Sequence, residues 1–283
     1  MEQYFSPVIT VEDLLSLQGQ EDVVIIDASN DKDAYQNYKK AHLKNALFLD
    51  IETQLAGAHE DASKGGRHPL PEVSAFVKTL GGLGIAPDTH VVIYDHAKGA
   101  NAASRCWWML KAVGHVKVQV LSGGFERAQR EGYPLSEELV EPVVTNYGYR
   151  GDWLLPRVDL DVVDKASRDN SYTIIDVREE KRYNGEFEPI DFVAGHIPRA
   201  INIPFFVNFD EEGLFKERDV LHQFYKQVFE GHDAEKIIVH CGSGVTACNT
   251  ILSVYHAGLP VPNLYVGSWS EWSRNDKPIA KEI

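Results

Sequence analysis

The segment Ile237-Ile238-Val239-His240-Cys241-Gly242-Ser243-Gly244-Val245-Thr246-Ala247 sets a cysteine between a short apolar run and a turn of glycines and hydroxyl residues. An apolar run of this length predicts a buried strand, and the stretch from Cys248 to His256 predicts a helix. Gly242 and Gly244 let the backbone curl tightly between the two elements. Successive N–H groups and the helix start then form a positive nest at the sulfur, which favours thiolate over thiol. Cys241 is therefore the candidate nucleophile, with Gly242, Gly244, Val245 and Thr246 as the turn that binds its substrate. A buried inert cysteine is the common alternative, but apolar packing does not account for two glycines and two hydroxyls directly after it.

The other two cysteines read as packing residues. Cys106 precedes Trp107 and Trp108 in an apolar helix, and Cys248 lies on the helix after the loop. Three cysteines without a C-x-x-C pair indicate neither a disulfide framework nor a zinc site, so no metal and no cofactor is expected. Cys241 and Cys248 would stand about 10 Å apart along a helix, too far for a disulfide. His240-Cys241 also opens the His-Cys-x5-Arg loop of cysteine phosphatases, but the arginine position holds Ala247.

The elements that must position Cys241 occur twice. Val23-Val24-Ile25-Ile26-Asp27 returns as Tyr172-Thr173-Ile174-Ile175-Asp176, and His42-Leu43-Lys44-Asn45-Ala46 returns as His196-Ile197-Pro198-Arg199-Ala200. Val91-Val92-Ile93-Tyr94-Asp95 returns as Ile237 to Cys241, and helical patterns then end near Gly114 and Gly258, with Gly123 and Gly267 nine residues on. The offsets are 149, 154, 146, 144 and 144 residues, which marks a tandem duplication. Each copy alternates strands with helices, so the expected class is α/β, with a parallel sheet covered by helices on both faces of each copy. Thr10-Val11-Glu12-Asp13 has the form of a helix-start box. The expected division is a first domain at 1–135, a linker at 136–156 and a second domain at 157–283. Asp95 takes the place of Cys241 in the first copy and cannot carry sulfur, so that domain reads as catalytically silent.

With 283 residues the chain has room for two cores of the ordinary size of roughly 150 residues. Its hydrophobic and charged fractions, 43% and 25%, are those of a globular protein. The formal charge of −14 argues against nucleic acid and anionic membrane surfaces as partners. The start has no basic region followed by an apolar run, and no span of about 18 apolar residues occurs, so a soluble cytoplasmic protein is expected.

The loop Cys241-Gly242-Ser243-Gly244-Val245-Thr246 resembles that of the two-domain rhodanese family of sulfurtransferases. Asp176-Val177-Arg178, Gly195-His196-Ile197-Pro198, Gly267-Ser268-Trp269-Ser270-Glu271-Trp272 and Ser104-Arg105-Cys106-Trp107-Trp108-Met109 extend the similarity over nearly the whole chain. The resemblance implies tandem rhodanese-like domains and a Cys241 persulfide, loaded by a small-molecule sulfur donor. A thiol acceptor would take it up, either a small thiol or a thioredoxin-like protein, with cyanide as a substitute. It also implies a relay of Ser243, His42 and Asp33, and Arg182 as the grip on a substrate carboxylate. Arg178 is expected to pair with Asp176.

Cys-Gly-Ser-Gly-Val-Thr is similar to the 3-mercaptopyruvate branch, and the chemistry supports that division, because thiosulfate, a dianion, calls for cations where Gly242 and Ser243 stand. A second arginine is expected several residues after Arg182, but Glu186-Phe187-Glu188-Pro189-Ile190-Asp191 supplies none. Arg67, in Gly65-Gly66-Arg67-His68, is the candidate replacement charge from the first domain. Thiosulfate as donor, and a non-catalytic persulfide relay or redox sensor, are the competing readings.

Overall fold

The computed structural model describes residues 5–58 and 60–282. The chain divides into two units that are not contiguous in sequence. The first runs up to Ala56, resumes over Pro71–Leu154 and takes in Phe209–Phe215; the second comprises Gly57–Leu70, Leu155–Asn208 and the chain from Lys216. Each unit thus borrows a short segment from the other half of the sequence.

In the first unit, β1 (Val8–Ile9), β2 (Val23–Asp27), β4 (Ala46–Phe48), β5 (His90–Tyr94) and β6 (Val118–Leu121) form one parallel sheet in the order β1-β6-β5-β2-β4. A second, two-stranded ladder pairs β3 (His42–Leu43) with β7 (Leu135–Ser136). The flanking helices are α1 (Val11–Ser16), α2 (Ala34–Lys40), α3 (Val73–Gly82), α4 (Ala102–Ala112) and α5 (Gly124–Arg130). The helix-start box forms as expected: Thr10 Oγ1 accepts the Asp13 N–H at 3.1 Å and donates to Asp13 Oδ2 at 2.8 Å. Ile25, Val92, Tyr94, Leu121 and Phe125 pack together in its core.

The second unit repeats the plan. Strands β8 (Arg157–Val158), β9 (Thr173–Asp176), β10 (Ile201–Asn202), β11 (Ile237–His240) and β12 (Asn263–Tyr265) are all parallel, in the order β10-β9-β11-β12-β8. Read from the opposite edge, this is the order of the first sheet, strand for strand. Helices α6 (Leu160–Ala166), α7 (Glu180–Asn184), α8 (Arg218–Val228), α9 (Ala247–His256) and α10 (Ser268–Trp272) flank it. Trp107 and Trp108 in the first unit and Trp269 and Trp272 in the second are fully buried. At about 2–3 kcal/mol of transfer energy for each large side chain, these pairs are main anchors of the helices that carry them. Trp269 and Trp272 belong to the core of the second unit, with Ile174, Ile238 and Tyr265.

Of the expected linker, residues 136–154 belong to the first unit and 155–156 to the second. The Thr145 N–H donates to the Gly81 carbonyl at 2.9 Å, the Leu154 N–H donates to that of Ala112 at 2.7 Å, and Tyr147 and Trp153 are buried. This segment is therefore held by backbone pairing and two aromatic anchors. Among the described residues, no helix is long and apolar enough to cross a membrane.

Candidate active site

Register fixes the position of Cys241. Asp176, the last residue of β9, pairs with His240, the last of β11, and Cys241 follows directly. In the first unit Asp27 pairs with Tyr94 in the same way, and Asp95 follows. Cys241 is buried at the strand end, and α9 begins six residues later at Ala247. The segment after β12 clasps the turn. The N–H groups of Trp269 and Ser270 donate to the carbonyls of Cys241 (3.0 Å) and Gly242 (2.8 Å), while the Cys241 N–H donates to Ser268 Oγ at 3.2 Å. Gly244 has φ +74°, and a Cβ there would strike the Val266 carbonyl, so the turn requires glycine at this point. The Cys248 thiol donates to the Gly244 carbonyl at 3.3 Å, and burial pushes the Cys106 thiol up.

Ser243 is met by a residue that the sequence reading did not assign. His68 Nδ1 lies 2.8 Å from Ser243 Oγ. The borrowed segment carrying His68 is pinned within the second unit: the Gly65 N–H donates to Glu271 Oε1 (2.7 Å), the Arg67 N–H to Ser270 Oγ (3.1 Å) and Asn275 Nδ2 to the Ser63 carbonyl (2.9 Å). His42, expected in the relay, serves the framework of the first unit. Its Nδ1 is 2.7 Å from the Tyr38 carbonyl, its Nε2 is 3.2 Å from that of Glu138, and its ring stacks on Tyr38 at 4.1 Å. The repeat counterpart His196 does the same with Tyr183, at 2.8 Å from its carbonyl and 3.8 Å from its ring. Both copies thus hold this histidine against the ring and the carbonyl of a tyrosine. Asp33 is an exposed residue at the start of α2 with no capping bond from its side chain. The hydrogen-bond partner of Ser243 is thus His68, while His42 is engaged with Tyr38 and Glu138, and the doublet Gly65-Gly66 before Arg67-His68 was the available signal.

Two guanidinium groups approach the turn. A Cβ at Gly242 would stand 3.4 Å from Nη2 of both Arg182 and Arg67, so both cations lie within van der Waals range of this position. Arg67 lies in the borrowed segment and packs in the second unit rather than the first. Behind these groups lies a buried ion-pair network. Arg182 pairs with Glu188 (2.7 Å), Arg67 with Asp191, Arg274 with Asp191 (2.6 Å), and Arg178 with both Asp176 (2.6 Å) and Glu188 (3.2 Å). Burial alone would raise the Asp176 carboxyl, but the Arg178 guanidinium and His240 beside it hold it below the usual carboxylate range. Burial lowers His240, outweighing the nearby Asp176 that raises it.

In the first unit the corresponding loop closes on its own side chain. Asp95 Oδ1 accepts the N–H groups of Ala97 (2.9 Å) and Gly99 (2.7 Å), and Oδ2 accepts those of Asn101 (3.0 Å) and Ala103 (3.1 Å). These are the donors with which such a loop binds an anion, and a resident carboxylate consumes all four. Burial nonetheless leaves the Asp95 carboxyl above its ordinary range.

Residues 10–131 and 159–275 each match the rhodanese-like domain. A probable 3-mercaptopyruvate sulfurtransferase of Pseudomonas aeruginosa is 33% identical over 282 residues, covering 96% of this chain and 97% of that protein. A thiosulfate sulfurtransferase of Gallus gallus is 33% identical over 263 residues, covering 91% and 88%. Among solved structures, the 3-mercaptopyruvate sulfurtransferase SseA of Escherichia coli is 32% identical with a TM-score of 0.76, covering 94% of this chain and 100% of that one. Two matched domains in tandem, relatives alike from end to end and a cysteine at the end of the central strand pair of the second sheet place this chain in the rhodanese-like family.

Proposed function

We propose that the protein is a sulfurtransferase that moves a sulfane sulfur from 3-mercaptopyruvate, through a persulfide on Cys241, to a thiol or to cyanide. The observation that carries this reading is the convergence on one turn of Cys241, the Ser243–His68 hydrogen bond and the guanidinium pair Arg67 and Arg182. The Cys241 thiolate attacks the donor sulfur, and the electron pair of the C–S bond stays with carbon as an enolate. That carbon takes a proton to become pyruvate, so atoms and electrons balance without an external redox partner. Ser243 and His68 are the pair that supplies and receives protons as the C–S bond breaks. Arg182 and Arg67 hold the carboxylate, a task suited to planar guanidinium groups. An acceptor thiolate then attacks the outer sulfur and restores Cys241.

The acceptor in this reading is a small thiol or a thioredoxin-like protein, and a reducing cytoplasm is the compartment in which such a thiol cycle runs. The first domain, with Asp95 in its loop, is catalytically silent. Incubation with 3-mercaptopyruvate should add about 32 Da, one sulfur, to the peptide that contains Cys241. Retention of sulfur transfer by Cys241→Ser would sink the assignment. Thiosulfate is the rival donor because two guanidinium groups also suit a dianion, and comparing kcat/KM for the two donors separates them.

A further inference from the structure

Glu188 and Asp191 stand in the stretch where a second cation was expected, and both carboxylates are buried, with side chains 3% and 0% exposed. Glu188 accepts from Nε (3.1 Å) and Nη2 (2.7 Å) of Arg182, which engages one edge of the guanidinium. Its far end, Nη1 and Nη2, is then the part that faces Gly242, at 3.7 and 3.4 Å from the Cβ position. Asp191 Oδ1 binds Arg67 and Arg274, while its buried Oδ2 makes no hydrogen bond and lies 3.8 Å from Arg182 Nη2. In these ion pairs the four guanidinium groups Arg67, Arg178, Arg182 and Arg274 face the carboxylates Asp176, Glu188 and Asp191, so Glu188 and Asp191 offset positive charge gathered beside the turn.

We propose that Glu188 and Asp191 set donor selectivity by limiting the positive charge around the Cys241 turn, which favours a monocarboxylate over a dianion. The inference rests on the sulfurtransferase reading and adds to it the residues that discriminate between donors. Removing one of these negative charges changes the potential at the bound donor by the same amount whichever donor is present. A dianion responds to that change twice and a monoanion once, and a buried site is little screened by salt. The readout is therefore the ratio of donor efficiencies, which a general loss of packing would leave alone. Glu188 and Asp191 act through Arg182 and Arg67 and are positioning residues.

The experiment measures kcat/KM for thiosulfate and for 3-mercaptopyruvate in the wild type, Glu188→Gln, Asp191→Asn and Glu188→Asp. The thiosulfate-to-mercaptopyruvate ratio should rise about tenfold in the two neutralised variants, the scale of a unit charge acting across a partly buried site, and stay near wild type in Glu188→Asp. A second arm titrates pyruvate and sulfate into Cys241→Ser, with and without Glu188→Gln, by calorimetry, and sulfate should gain relative to pyruvate when Glu188 is neutralised. Equal loss for both donors in folded Glu188→Gln and Asp191→Asn, with an unchanged ratio, would overturn the proposal, and so would an unchanged sulfate-to-pyruvate affinity ratio. A wild type that forms no persulfide from either donor would instead sink the sulfurtransferase reading, and the calorimetric arm would still decide the charge argument.

Discussion

His68 Nδ1 and Ser243 Oγ are 2.8 Å apart although 175 residues separate them in sequence. Because His42 and His196 are both spent on tyrosine-backed scaffolds, this is the histidine–hydroxyl pair that belongs to the turn of Cys241. His68→Ala and Ser243→Ala should each lower kcat with 3-mercaptopyruvate by about 100-fold, the scale of lost acid–base assistance. The double variant should fall little further than either single one. His42→Gln should instead lower the melting temperature and leave kcat of the folded protein near wild type; a kcat loss as large as that of His68→Ala would reinstate His42.

The guanidinium pair should behave as a carboxylate clamp. Arg67→Ala and Arg182→Ala should each reduce kcat/KM for 3-mercaptopyruvate by about 10- to 100-fold, corresponding to about 1.5–3 kcal/mol for a charge-assisted hydrogen bond. Arg182→Lys keeps the charge but not the forked geometry, and should recover only part of the loss. Steady-state kinetics with 3-mercaptopyruvate checks all three.

Asp95 should matter for stability and not for turnover. Asp95→Asn turns one acceptor oxygen into an NH2 group facing two backbone donors, at a cost of about 1–3 kcal/mol per buried group left unsatisfied. Urea unfolding should register that loss, while the folded variant should transfer sulfur near the wild-type rate. A selective loss of turnover would give the first domain's loop a direct part in the chemistry.

Acid should weaken the first unit through His115. Its Nε2 donates to the Thr89 carbonyl and its Nδ1 accepts from the Tyr147 hydroxyl, both at 2.9 Å, and burial pushes its pKa down to about 4. The unfolded chain takes up a proton below about pH 6.5 that the folded protein refuses until about pH 4, so the stabilisation is complete above the higher value and is lost as pH falls. The loss between pH 7 and pH 5 should be about 2 kcal/mol for this residue. His90, His240 and His256 are lowered in the same sense and steepen the slope. Denaturant titrations at the two pH values should show a smaller difference for His115→Asn than for the wild type.

What the sequence made legible was whatever is local. The strand, turn and helix around Cys241, the matching loop at Asp95 and the repeated sheet all follow from runs of fewer than about twenty residues, where apolar periodicity and glycine chemistry act directly. The Arg178–Asp176 pair, two residues apart, was equally readable. His68 was not assigned to the turn, and Arg67, named as a replacement charge, was placed in the first domain, because their segment has no periodicity and its packing partners, Ser243, Ser270 and Glu271, come some two hundred residues later. Glu188 and Asp191 read as a missing arginine, because a sequence displays charges without showing which of them are buried together.

The borrowed segment Gly57–Leu70 also sets an order of events during synthesis. At about 5–20 residues per second, His68 leaves the ribosome roughly 10–35 s before the serine it meets. This stretch is made before Ser243, Ser270 and Glu271, so it waits without these partners until the second sheet has been synthesised. Such a distant pairing is among the slower contacts a chain makes. Cys241, made later than this segment, thus meets its finished surroundings only once the second sheet has been synthesised, and any nascent chain without that sheet lacks the completed turn.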